Sequence, residues 1–75
     1  MTNRTEDPNT VTLTAREKQV LKLIVDGLST KQVAAELGIS FKTAVTHRSR
    51  IMEKVDVHNV VLLVRYAILN KLAEP

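Results

Sequence analysis

Seventy-five residues, 44% of them hydrophobic, with a formal net charge of +3, allow one small domain, because so short a chain buries only about 60% of its unfolded surface and has no room for an enzyme's pocket beside a core. With no cysteine, disulfides and thiolate metal sites are excluded, and with only two histidines, His47 and His58, at no metal-binding spacing, no metal or cofactor is expected. No apolar run approaches the roughly 18 residues of a membrane span, and the start M-T-N-R-T-E-D-P lacks a signal peptide's apolar segment, so the expectation is a soluble cytoplasmic chain with no membrane partner.

Residues 1–12 are polar, carry Pro8 and show no apolar period, which reads as a flexible arm or linker ahead of an ordered domain over residues 13–73. Thr14-x-x-Glu17 is a capping box, so a first helix is expected over about 14–26. Val20, Leu21, Ile24 and Val25 form its apolar stripe, and Gly27 ends it. Ser29 caps a second helix over 30–37, whose short apolar face is Val33, Ala34 and Leu37, and Gly38 closes that helix.

Only about three residues then separate the second helix from a third, capped by Ser40 and running over 41–55. So tight a turn makes the two helices cross steeply, with Ile39 plugging the corner and Ala34 letting the backbones approach. This is helix-turn-helix spacing, which an ordinary helical corner also satisfies. Charge adds weight. From Ser40 to Lys54 the cations Lys42, Arg48, Arg50 and Lys54 face only Glu53, so this one segment holds the whole excess of +3. Such concentration is the footprint of a phosphate-binding surface. Ala44, His47, Ile51 and Val55 share one stripe of the helix, while Lys42, Val45, Thr46, Ser49, Arg50 and Glu53 point away from it.

A fourth helix is expected over 59–72, with Asn59 as its cap. Val60, Leu63, Val64, Ala67 and Ile68 form a core stripe, and Leu62, Tyr66 and Leu69 project from the other side. A surplus apolar stripe on a terminal helix points to a partner surface, either a second copy of the chain or another domain.

The assembled pattern resembles the LuxR/NarL/FixJ-type (GerE-like) helix-turn-helix domain of bacterial transcription regulators. The family's L-T-x-R-E-x-x-V-L is present as Leu13, Thr14, Arg16, Glu17, Val20 and Leu21; its second block as Gly27, Ser29, Lys31, Val33, Ala34, Leu37, Ile39 and Ser40; its third as Lys42, Thr43, Ala44, His47, Ile51, Lys54 and Val55. Three collinear blocks at the right spacing are a specific signal. Ala44 replaces the usual valine, Val45 a common lysine, and Val55-Asp56 the usual Leu-Gly; aspartate tolerates the left-handed conformation better than most residues, so the turn is expected to survive.

The resemblance implies an all-α fold of four helices, and an effector domain that binds double-stranded DNA with its third helix in the major groove. At about 1.5 Å per residue that helix is roughly 20 Å long, which suits the groove. Val45, Thr46 and Ser49 are the base-edge candidates, together with Arg50, which could equally clamp a phosphate. Thr30, Lys31, Lys42, Thr43, His47, Arg48 and Lys54 are the phosphate candidates; His47 has first a packing role. The resemblance gives Arg16 and Glu17 a structural role. Leu62, Tyr66 and Leu69 are candidates for a weak homodimer on two half-sites about one helical turn apart. Other implied partners are RNA polymerase and an N-terminal receiver or ligand-binding domain outside these residues. The likeness favours the effector domain of a two-component response regulator; a stand-alone GerE-like regulator and a protein-protein interaction module that keeps the fold are the alternatives.

Overall fold

A computed structural model describes residues 12–70. The arm read over residues 1–12 falls outside them except for Thr12, as does the expected end of the last helix at Leu72. Among the described residues there are four helices and no strand: α1 (Ala15–Val25), α2 (Thr30–Leu37), α3 (Phe41–Val55) and α4 (Val60–Leu69). None is long and apolar enough to cross a membrane.

Every helix begins with a side-chain cap. Thr14 and Glu17 form the expected capping box on α1, and Ser40 and Asn59 cap α3 and α4. Ser29 does more than cap α2: its Oγ accepts from the Gln32 amide at 3.1 Å, while Gln32 Oε1 accepts from the Ser29 amide at 2.8 Å, which makes a second capping box.

The ends of α1, α2 and α3 share one stop. A residue with positive φ, Gly27 (97°), Gly38 (67°) or Asp56 (57°), turns the backbone back. The next amide, of Leu28, Ile39 or Val57, then donates to the carbonyl of Leu23, Ala34 or Met52 at 3.0–3.1 Å, the pairing of a Schellman motif. Leu28, Ile39 and Val57 each pack against the core. Asp56 is the one described non-glycine residue with positive φ, so Asp56→Gly is expected to stabilise the domain by about 0.5–1 kcal/mol, the relief of left-handed strain less the entropy glycine adds to the unfolded chain. Calorimetry should show Tm rising by roughly 2–8 °C.

One core joins the helices. Val20, Leu21 and Ile24 of α1, Val33 and Ala34 of α2, Ala44, Ile51 and Val55 of α3, and Leu63 and Ala67 of α4 are buried, with Leu13 ahead of α1. Ala34 of α2 and Ala44 of α3, two helices packed on each other, are both buried, and Ile39, in the turn that joins them, packs against the core. The result presents one long side of α3 outward, beside the start of α2.

Candidate nucleic-acid interface

α3 is sorted by its own periodicity. Ala44 and Ile51 are fully buried and Val55 nearly so, with His47 half-buried at the edge of their stripe. Lys42, Val45, Ser49, Arg50 and Glu53 are exposed on the far side, and Thr46 lies half-buried among them. The buried stripe fixes the rotation of the helix about its axis, so the outward set is fixed with it.

Two hydroxyls on this surface have settled roles. Thr46 Oγ1 donates to the Lys42 carbonyl at 3.0 Å, so its proton is committed to the helix. The oxygen keeps acceptor capacity and the methyl remains for apolar contact. At the start of α3, Ser40 Oγ accepts from the Thr43 amide at 3.0 Å and donates to Thr43 Oγ1 at 2.9 Å. The proton of Thr43 is therefore still available to an outside acceptor such as a phosphate oxygen.

The start of α2 belongs to the same region. A shallow depression of about 290 Å³ is lined by Ile24, Leu28, Ser29, Thr30, Arg48 and Val60, which sets the Arg48 side chain of α3 beside the first turn of α2. Thr30 and Lys31 carry the amides a capping box leaves without a partner, at the positive end of the helix. Thr30 and Arg48 are thus neighbours across two helices, with Lys31 following Thr30 in the first turn of α2, whereas Lys42 and Thr43 lie in the first turn of α3.

Lys54 is elsewhere. Its ammonium lies 2.8 Å from Glu17 Oε1 and 3.3 Å from the Thr12 carbonyl oxygen. Two of its three protons are spent inside the domain, where they tie α3 to the start of α1 and compete with the phosphate role expected of it. Its carboxylate partner is only 4% exposed and also accepts from the Thr14 amide at 2.9 Å. Burial pushes the Glu17 carboxyl up, but the Lys54 ammonium and the Thr14 bonds outweigh it and hold the group below its ordinary value. Glu17 therefore has the structural role expected of it; Arg16, beside it, is exposed.

The last helix is also partly reassigned. Leu62 and Leu69 project outward, 43% and 71% exposed, but Tyr66 is half-buried against the core. Val61, 74% exposed, shares the outer face with them instead. Phe41, the first residue of α3, is 58% exposed. Sequence reading gave it no role, although an aromatic residue directly after a helix cap, with no stripe to join, was the available signal.

Comparison with known proteins points in one direction. The family model described as bacterial regulatory proteins, luxR family, matches residues 11–67. The chain is 46% identical over 56 residues to the response regulatory protein YgeK of Escherichia coli, covering 75% of this chain and 38% of that protein. With the transcriptional regulatory protein UhpA of the same organism it shares 49% identity over 53 residues, 71% of this chain and 27% of the other. Among solved structures, the VqmA–ligand–DNA complex of Vibrio cholerae superposes with a TM-score of 0.78 at 28% identity, over 96% of this chain and 32% of that one. The chain thus spans between a quarter and two-fifths of the length of these relatives.

Proposed function

The chain belongs to the LuxR family of bacterial regulatory proteins, and from that premise we propose that it is the DNA-binding effector domain of a bacterial transcription regulator of the response-regulator type, with α3 in the major groove. The observation that carries this reading is the division of α3, a buried apolar side opposite an exposed side of small, polar and basic residues beside the start of α2. In this arrangement Val45, Thr46 and Ser49 meet base edges, and the guanidinium of Arg50, with five donors, meets a base edge and the adjoining phosphate. Thr30, Lys31, Lys42, Thr43, His47 and Arg48 meet phosphates. Thr46 reads through its methyl and as an acceptor, since its proton is committed to Lys42.

A receiver domain ahead of this one fits the short span of the match to YgeK and UhpA. The outer face of α4, Leu62 and Leu69 with Val61, supplies a weak homodimer on two half-sites.

Salt titration tests the whole reading. Lys31, Lys42, Arg48 and Arg50 neutralise about four phosphates per chain, so log affinity falls against log salt with a slope of about −3.6 for one chain and about −7 for two. Between 50 and 200 mM salt, that is a loss of about 150-fold for a monomer and on the order of 10⁴-fold for a pair on one duplex. Affinity indifferent to salt would reject DNA binding; a slope near −3.6 on a two-site duplex would reject the dimer alone.

A further inference from the structure

We infer that Phe41, with Val45 one turn further on, reads the C5-methyl groups of thymines in the major groove, so that Phe41 is a specificity-determining residue of the DNA-binding surface; the inference rests on the function proposed above. Phe41 is 58% exposed and Val45 37% exposed, and they are the large apolar side chains left exposed on α3 among the described residues. At i and i+4 they lie on the same side of the helix, about 5–6 Å apart. Phe41 opens α3 directly after the Ser40 cap, and in helix-turn-helix proteins the first residues of the recognition helix are those that contact base edges.

The chemistry narrows what such a pair can recognise. Among the groups by which the major groove distinguishes base pairs, the thymine methyl is the apolar one, and the others are hydrogen-bond donors or acceptors. A phenyl ring and an isopropyl group supply neither donors nor acceptors, and the committed Thr46 proton removes one more donor from the same surface. The reading side of α3 is thus weighted toward methyl contacts at its start and toward polar contacts at Ser49 and Arg50.

The test uses the full 75-residue chain and its Phe41→Ala variant. The wild-type chain first selects duplexes from a random pool. Each thymine of the selected duplex is then replaced by uracil, which pairs identically and keeps the O4 acceptor but lacks the methyl. At one thymine or more, uracil should weaken wild-type binding about fourfold, the value of one buried methyl. In Phe41→Ala the thymine-to-uracil ratio at one of these positions should fall to about one, with Phe41→Leu intermediate. Because Phe41 is mostly exposed, an unchanged Tm is expected to accompany the result. A uracil profile identical in wild type and Phe41→Ala overturns the inference while leaving DNA binding intact. A chain that captures no duplex at low salt overturns both.

Discussion

Ile51→Ala is expected to destabilise the domain by about 2–5 kcal/mol, the transfer and cavity cost of truncating a fully buried aliphatic side chain. At roughly 0.05–0.15 kcal/mol per residue, a domain of this size has only about 4–11 kcal/mol to lose. Ile51 is 0% exposed at the middle of α3's buried stripe, between Ala44 and Val55. Both neighbours are smaller and cannot fill the space. The loss falls on the contact that sets the rotation of the proposed reading helix, so the substitution should impair DNA binding although Ile51 faces away from the side proposed to meet DNA. Urea unfolding should show a lower midpoint. Excess duplex should restore part of the stability, because DNA binds the folded form. A midpoint within experimental error of wild type would mean that α3 is not held through Ile51.

Lys54→Ala has the second largest expected effect, and it separates a structural cation from a DNA-binding one. Breaking a fully buried ion pair costs about 3–5 kcal/mol. The Lys54 side chain is 38% exposed and its contribution is partly screened, so about 1–2 kcal/mol is expected here. The pH dependence carries the signature. Glu17 is held below its ordinary value, so the stability it contributes is complete above that ordinary value and is lost as pH falls through the lowered one. In Lys54→Ala the ammonium that holds the carboxyl down is gone, so the stability gap between the two proteins is full above the ordinary carboxylate value and closes as pH falls through the lowered one. Circular dichroism followed from neutral to acid pH in both proteins checks this. On duplex, Lys54→Ala should leave the salt slope unchanged, whereas Lys42→Ala should reduce its steepness by about 0.9. A reduction of that size in Lys54→Ala would return Lys54 to the phosphate contacts.

The helices were legible because their signals are local. Thr14, Ser29, Ser40 and Asn59 each act within three residues of themselves, and Gly27 and Gly38 set the chain's direction by their own backbone freedom. The buried side of α3 could be read for the same reason, since its period is written into one segment. What escaped depends on contacts distant in sequence. Lys54 is an ordinary helical lysine until the fold brings Glu17, 37 residues earlier, and Thr12, 42 residues earlier, to its ammonium. Tyr66 lies at the edge of the α4 stripe, and only the shape of the core decides that it turns inward and leaves Val61 on the outer face. The hydroxyl of Thr46 could turn to its own helix or to a partner, and sequence could not choose between them.

The shared stop of α1, α2 and α3 also protects against misfolding. In each, the residue after the left-handed turn is at once the last hydrogen-bond donor to the helix and a side chain packed against the core: Leu28, Ile39 or Val57. Were a helix to run on by one more turn, it would break that bond and pull the apolar residue off the core in the same movement. The error is penalised twice, once in the backbone and once in packing. The domain thus proofreads the length of its helices, and the point at which α2 hands the chain on to α3 is fixed to within a residue.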